Sequence, residues 1–241
     1  MGLRLWWGAL KNSFVKTRSL ACIALLLSLF TVFCSERTPP QKGISLEGFS
    51  SIFDGETLTG WRKLTESSES SGIWEVVDGT IVASQTPEGK WGLLVTLKRY
   101  SDFEVYAEVK ADYPIDTGIF LRVQPHVLSY QVTIDYRPEG EVGAIYCPGG
   151  GDFLVHNPGG KDLWRNDAFN TVQARIQGQP PRIQAWINDT KVVDFSDTSV
   201  ENGYRVPREG FFGIQVHGGS SWGKGNKVYF RRLLIKELNS H

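Results

Sequence analysis

The chain has 241 residues, its 26 lysines and arginines balance 26 aspartates and glutamates, and it is rich in glycine and aromatic residues. The balanced charge gives no electrostatic basis for binding nucleic acid or an acidic membrane surface, so we expect no nucleic-acid partner. The aromatic and glycine content favours strands and turns, and the length suits a single all-β domain.

The first 34 residues have the pattern of an export signal. A basic segment without acidic residues precedes an apolar run from Leu20 to Phe33. This run is shorter than a membrane-spanning helix usually requires. Cys34 follows directly, as in a bacterial lipoprotein signal, where the cysteine thiol is acylated. The alternatives are a signal peptide cut nearby and an uncleaved anchor, and each of the three exports the domain.

We therefore expect residues 1–34 to be an export signal of lipoprotein type and residues 35–47 to be a short tether. The expected location is the periplasm, the outer membrane or the cell surface. Contact with the membrane is expected only through this N-terminal lipid or signal anchor.

From residue 49 onward, apolar and polar residues alternate in short segments that are separated by turn residues. In 103–111 every odd-numbered residue is apolar, and the same period recurs in 118–124, in 130–136 and in four later segments. Each segment predicts a strand with one buried face. Many short strands between regular turns predict two packed antiparallel sheets over residues 48–239, and no segment shows sustained helical periodicity.

Three local patterns refine this prediction. The segment Gln179–Asp194 predicts a hairpin that turns at Asn188-Asp189. In the last segment, a bulge at Arg231-Arg232 would restore one apolar face, and this strand is expected to pair beside the first one, near Phe49–Phe53. The segment Cys147–Asp167 is rich in glycine, proline and asparagine and has no pattern, which indicates a long functional loop that begins at a free, partly buried thiol.

The polar faces of the predicted strands carry the candidate functional residues. Asp135, His217 and Arg122 each lie opposite a core-facing set. If the strands belong to one sheet, these three line one concave surface together with Gln131, Thr133, Gln184, Trp186 and Gln215. This mixture suits a sugar, because tryptophan stacks on its C–H face and the polar groups bond its hydroxyls. Each residue alone is also compatible with an ordinary turn or surface position.

The sequence contains a series of motifs that resembles one known family, the 3-keto-disaccharide hydrolase domain family. The resemblance covers about residues 49–238. It rests on these motifs in order: IFDGETLTGW, IWEVVDGTIVAS, YSDFEVYAEVK, TGIFLR, GAIY, FNTVQARIQG, IQAWINDTKVVDF, GFFGIQVHGG and VYFRRLLIKEL. The resemblance implies a concanavalin-like jelly-roll sandwich that is exported by bacteria and acts on glycosides oxidised at C3.

The resemblance also implies roles for individual residues. Arg122 belongs to TGIFLR and His217 to QVHGG, while YQVTIDY places Gln131 where the family commonly has an acid and Thr133 where it commonly has glutamine. Asp135 follows in the family's position. Gln131 cannot exchange a proton, and this departure favours the alternative of a non-catalytic carbohydrate-binding or adhesion module on the cell surface. A structural surface lipoprotein domain is a third alternative.

The chemistry implied is removal of the C2 proton beside a C3 ketone, followed by elimination at C1 and, with water, net hydrolysis. We assign proton transfer to His217 or Asp135, and the carbonyl oxygen or substrate positioning to Arg122. The expected substrate-binding residues are Gln131, Thr133, Trp186 and Gln215. No cofactor is expected and no cluster predicts a metal site, although a divalent cation would be compatible with the chemistry.

Overall fold

The computed structural model describes residues 45–64, 72–199 and 206–239. Within them the chain is built from strands and short 3-10 segments, with no α-helix. None of the helical segments in these residues has the length and apolar character that a membrane crossing requires. The predicted export signal with Cys34, and all but the last residues of the predicted tether, lie outside the described residues.

The described residues form fifteen strands, and the 3-10 segments are Pro125–Val127, Gly160–Leu163 and Gly219–Ser221. The strands in chain order are β1 (Ser50–Ser51), β2 (Trp61–Lys63), β3 (Ile73–Val77), β4 (Thr80–Ser84), β5 (Gly92–Tyr100), β6 (Phe103–Ala111), β7 (Ile115–Val123), β8 (Tyr130–Tyr136), β9 (Val142–Cys147), β10 (Asp152–Val155), β11 (Asn170–Gln177), β12 (Arg182–Ile187), β13 (Thr190–Ser196), β14 (Gly210–Val216) and β15 (Val228–Glu237).

The strands form two antiparallel sheets. The back sheet has the order β13-β12-β11-β6-β15-β4-β3, with β1 beside β15. The front sheet has the order β10-β9-β8-β7-β14-β5-β2. Strands distant in sequence are neighbours in both sheets, as a jelly-roll connection requires. The predicted sandwich of two antiparallel sheets is confirmed.

The core lies between the sheets and follows the period of two in the sequence. Phe103, Val105 and Val109 of β6 are fully buried there, and Ile119 of β7 and Val132 of β8 face them from the front sheet. Burying a side chain of this size contributes about 1.5–3 kcal/mol. The alternation therefore determines which face of each strand is left for polar residues.

The predicted turns and the closing strand are also found. Asn188 and Asp189 have positive φ angles of 47° and 67°, the conformation of a type I′ turn, between β12 and β13. In β15 the register shifts between Arg231 and Leu234, as the predicted bulge requires. Beyond the bulge, Ile235 pairs with Ser50 of β1, so the last strand lies beside the first.

The segment Cys147–Asp167 differs from the predicted structureless loop. It contains β10, a four-residue edge strand paired with β9, and the 3-10 segment Gly160–Leu163. An edge strand this short has too few residues for alternation to be visible in the sequence. Cys147 is buried and free, and burial, reinforced by the Asp197 carboxylate, raises the pKa of its thiol to about 12.

Candidate functional site

The outer face of the front sheet carries an open groove of about 1160 Å³. Strands β7, β8 and β14 supply its polar floor, and the 3-10 segment after His217 supplies one wall. The segment around β10 supplies the opposite wall. The volume is that of a small-molecule site, and polar and aromatic side chains line it together.

Asp116 of β7 is the central titratable group of the groove. Its Oδ2 lies 3.7 Å from Nε2 of His217 and 3.3 Å from Nη2 of Arg137, and its strand partner is Asp135. Burial raises the pKa of Asp116 to about 6; the charge of Asp135 adds to this rise, while His217 and Arg137 oppose it. A carboxylate with this pKa exchanges protons near neutral pH.

His217 follows β14 and is fixed by the backbone around it. Its Nδ1 lies 2.9 Å from the carbonyl oxygen of Gly218, which only accepts hydrogen bonds, so Nδ1 carries the proton and Nε2 faces Asp116. The Gln85 side chain donates to the His217 and Gly219 carbonyl oxygens at 2.8 and 2.9 Å. The loop therefore holds the imidazole in one orientation.

Asp135 and Arg137 form the charged centre of the groove. The guanidinium donates from Nε to Asp135 Oδ1 at 2.7 Å and from Nη2 to Oδ2 at 2.6 Å. This bidentate pair raises the pKa of Arg137, so the guanidinium stays charged. A Cβ on Gly140 would lie 2.2 Å from the Asp135 carboxyl carbon, so glycine makes room for the pair.

Gln131 and Gln215 are bridged across β7. Gln131 Nε2 donates to Gln215 Oε1 at 3.1 Å and to the Thr117 carbonyl oxygen at 3.4 Å. The bridge passes over Gly118, where an added Cβ would lie 2.6 Å from Gln131 Nε2. The two predicted substrate-binding amides therefore lie together on the groove floor, as the sequence indicates.

Thr133 lines the groove, but its hydroxyl is engaged by backbone. It donates to the Glu141 carbonyl oxygen at 2.8 Å and accepts from the Ala144 amide at 3.1 Å. These bonds bridge the register shift between β8 and β9. The position predicted for Thr133 is found, and its hydroxyl stabilises the sheet there.

Arg122 is not on the groove face, contrary to the prediction. It has a positive φ of 55° and is the extra residue of a bulge, because Val123 pairs with Phe211 while Phe120 pairs with Gly213. The bulge reverses the alternation, so the fully buried guanidinium turns inward. It donates to Asp102 Oδ1 at 2.9 Å and to the Ser101 carbonyl oxygen at 2.7 Å.

Trp186 also lies away from the groove. It belongs to β12 of the back sheet and pairs there with Gln173 and Lys191, and Gln184 lies on the same strand. The expectation of one shared concave surface was wrong for this strand, because alternation predicts which face is polar and does not predict which sheet a strand joins. The tryptophan that lines the groove is Trp91.

Several groove residues that the site depends on were not among the sequence candidates, and they include Asp116, Arg137, Trp91, Glu141 and His156. Asp116 extends the alternation of β7 by two positions towards its start, since Ile115, Thr117 and Ile119 are all buried. That signal was present in the sequence. Arg137, Trp91, Glu141 and His156 lie in turns and loops, where no periodicity marks them.

Metal-binding geometry is not evident in the part of the chain that the structure describes. No group of three or more histidine, cysteine, aspartate or glutamate side chains in these residues is arranged to hold an ion. Asp116, Asp135 and Glu141 of the groove are instead paired with Arg137, His217 and His156.

The fold and the groove define a class: a jelly-roll β-sandwich with a polar and aromatic groove on one sheet. Residues 48–236 match the model of the 3-keto-alpha-glucoside-1,2-lyase-like domain, and the chain belongs to this family. The family indicates a carbohydrate-related function. A search of curated protein sequences finds no match.

Solved structures share the fold. A protein from Parabacteroides distasonis ATCC 8503, provisionally described as a glycosyl hydrolase, has a TM-score of 0.57 at 20% identity over 80% of this chain and 95% of its own. The carbohydrate binding module CBM66 from Bacillus subtilis has a TM-score of 0.51 at 15% identity, covering 74% and 96%. A Bacillus subtilis protein of unknown function with a galectin-like fold has a TM-score of 0.57 at 10% identity, covering 76% and 92%.

Proposed function

We propose that the groove binds glycosides oxidised at C3 and cleaves them by removing the C2 proton and eliminating the C1 substituent, with net hydrolysis when water adds to the product. One observation carries this proposal. A partly buried carboxylate with a pKa of about 6, Asp116, lies beside an imidazole and a fixed guanidinium in a groove of sugar size. Family membership supplies the substrate class.

Asp116 and His217 are the groups suited to the C2 proton. A ketone at C3 acidifies that proton, and a base works best when its own pKa is near the working pH. Asp116 meets this condition, and His217 Nε2 is 3.7 Å away to receive or share the proton. General-base help of this kind is typically worth about 10²–10⁴-fold in rate.

Arg137 is suited to stabilising the negative charge that develops on the C3 oxygen. Its charge is held in place by both oxygens of Asp135, so little reorganisation is needed during the reaction. Both Asp135 oxygens are engaged in this pair, and we therefore assign Asp135 to positioning Arg137. This assignment replaces Arg122 by Arg137 at the carbonyl oxygen.

The apolar part of the groove is suited to the C–H face of a sugar ring. Trp91 and Phe120 line it, and Trp91 packs on a small hydrophobic cluster outside the main core. Gln131 and Gln215 lie next to them with amide groups for hydroxyls. Burying a ring face on aromatic surface beside a few polar groups is the usual way proteins hold sugars in such a site.

The test is incubation of the purified protein with 3-keto-lactose or 3-keto-trehalose and measurement of released sugar. We expect release, and a loss of at least about 100-fold in the separate variants Asp116→Asn and His217→Ala. Asp194→Asn is the matched control, because this carboxylate lies on the back sheet and pairs with Arg182. Near-wild-type rates in both groove variants would show that the assignment is wrong.

The alternative is a carbohydrate-binding or adhesion module without catalysis. The Gln131–Gln215 amide bridge favours it, because amides bind hydroxyls and cannot transfer protons. Saturable binding of the same sugars without release would support this alternative. Neither binding nor release would support a structural role for the domain.

We also propose that the domain acts outside the cytoplasm, anchored through Cys34. The basic segment, apolar run and cysteine of residues 1–34 support this location. Cell fractionation of the full chain tests it. The wild type should be recovered with membranes and Cys34→Ser in the soluble exported fraction, whereas recovery of both from the cytoplasm would refute export.

A further inference from the structure

A second imidazole–carboxylate pair lines the groove at the side opposite His217. His156 Nδ1 lies 2.8 Å from Oε1 of Glu141, and both residues line the groove. Glu141 is also held in place, because its other carboxylate oxygen accepts from the Asn157 amide. The proposed C2 chemistry leaves this pair without a role.

His156 is mostly exposed, yet its ring is fixed by two independent contacts. It stacks on Phe153 with ring centroids 4.8 Å apart and planes at 23°, and Glu141 binds its Nδ1. Because a carboxylate accepts the Nδ1 proton, Nε2 is the nitrogen left available to a ligand in the groove. An exposed histidine restrained in this way is pre-organised for contact.

The position of the pair follows from strand register. Asp116 is the strand partner of Asp135, and the Asp135 amide donates to the Glu141 carbonyl oxygen at 3.1 Å. Glu141 is therefore two strands from Asp116, which places the two backbones about 10 Å apart. A sugar with its C2 at Asp116 and its C1 substituent directed along the groove would bring the C1 oxygen toward His156.

The reaction needs a proton at that oxygen. A sugar alkoxide is a poor leaving group, so elimination from a disaccharide requires a general acid on the side of C1. Arg137 is unsuited to this, because its pairing with Asp135 raises its pKa. Asp116 and His217 are occupied with the C2 proton.

We propose that His156 is the catalytic residue that protonates the departing glycosidic oxygen, and that Glu141 and Phe153 position its ring. This role rests on the proposed function. The enolate electrons form the C1=C2 bond and restore the C3 ketone while the C1–O bond breaks. His156 enters this step as the imidazolium, with its Nδ1 proton bonded to Glu141. Its Nε2 proton passes to the departing oxygen, which leaves the neutral ring protonated at Nδ1, and His156 then regains a proton from solvent.

The test compares two leaving groups in His156→Gln. We expect release from 3-keto-lactose to fall by about 100-fold, because the leaving sugar needs the acid. Release of p-nitrophenol from the p-nitrophenyl 3-keto-glucoside should change less than about threefold, since this anion leaves without help. His126→Gln is the matched control, an exposed imidazole outside the groove lining, and should match the wild type on both substrates.

Hydrogen exchange at C2 separates this role from the proposed function. In deuterated water, His156→Gln should still incorporate deuterium at C2 of 3-keto-lactose at the wild-type rate, and Glu141→Gln should show a smaller loss of release with the same leaving-group dependence. An equal loss on both substrates, an unchanged rate on both, or a loss of exchange would overturn the role of His156. A wild-type protein that neither exchanges nor releases overturns the proposed function itself.

Discussion

Asp116 Oδ2 lies 3.7 Å from His217 Nε2, where Asp116 belongs to β7 and His217 directly follows the neighbouring strand β14 of the front sheet. Burial raises the pKa of the Asp116 carboxyl to about 6, while the imidazole opposes this rise in pKa. A partly buried carboxylate whose pKa is raised in this way stabilises the fold less when it is ionised.

The effect of Asp116→Asn on the free energy of unfolding should therefore depend on pH. The folded-state pKa is raised from 3.8 to about 6, so the contribution of this group is fully present below about pH 4 and is lost as the pH rises through 6. Asparagine mimics the uncharged acid, and we expect it to raise the free energy of unfolding by about 1–3 kcal/mol at pH 8 and to change it little at pH 4. Urea unfolding at both pH values measures this, and an equal effect at the two values would contradict it.

The rate of cleavage should follow the same ionisation. If Asp116 removes the C2 proton, it must be ionised in the free protein, so kcat/KM should rise with pH up to about 6 and then level off. Below that pH we expect about a tenfold fall per pH unit. The measurement is initial-rate kinetics on a 3-keto-glycoside from pH 4.5 to 8. A flat profile across this range would exclude Asp116 as the base.

Arg122 should prove to be a structural residue. Its guanidinium is fully buried against Asp102 and the Ser101 and Gly178 carbonyl oxygens, and removing one member of a buried pair typically costs about 3–5 kcal/mol. Arg122→Met should therefore lower the free energy of unfolding by about that amount in urea titrations.

Activity per folded molecule should stay within about twofold of the wild type in Arg122→Met, since Arg122 does not line the groove and the loss of its buried ion pair lowers stability. Arg182→Met is the control, because its ion pair with Asp194 is exposed and its loss should change stability little. A stable Arg122→Met protein without activity would restore the catalytic assignment that the sequence suggested.

Sequence and structure agree where burial determines the strand, as in β6, whose apolar face is wholly in the core. The sequence prediction and the structure disagree at Arg122, because a bulge changes the phase of alternation and cannot be recognised from composition. They also disagree at Trp186, since the sheet that a strand joins depends on long-range pairing. Arg137 and His156 lie in connections, where function is common and periodicity is absent.

The aromatic residue that binds sugar should be Trp91. It lines the groove, whereas Trp186 lies on the back sheet. We expect Trp91→Ala to weaken binding of a 3-keto-glycoside by about tenfold, the loss of one well-placed aromatic contact. Trp186→Ala should leave the affinity unchanged. Calorimetric titration of both variants decides between them, and a loss confined to Trp186→Ala would place the binding surface on the back sheet.

Gln131→Glu tests whether the missing acid limits catalysis. Gln131 Nε2 donates to the Gln215 and Thr117 oxygens, and a carboxylate in its place would present an acceptor to the fixed Thr117 carbonyl. We expect a loss of about 1–3 kcal/mol in the free energy of unfolding at pH 8. The loss should be smaller at pH 5, because a protonated glutamic acid donates one hydrogen bond.

Catalysis should gain nothing from Gln131→Glu. Proton transfer is already available from Asp116 and His217, and a new negative charge next to Asp116 opposes its ionisation. The kcat on 3-keto-lactose should therefore stay the same or fall, and the rise of kcat/KM should move to higher pH. Gln215→Glu is the matched control, since it changes the other end of the same bridge. A tenfold gain in kcat confined to Gln131→Glu would contradict this. It would show that full activity needs an acid at position 131 and that the Asp116–His217 pair does not supply all of the proton transfer.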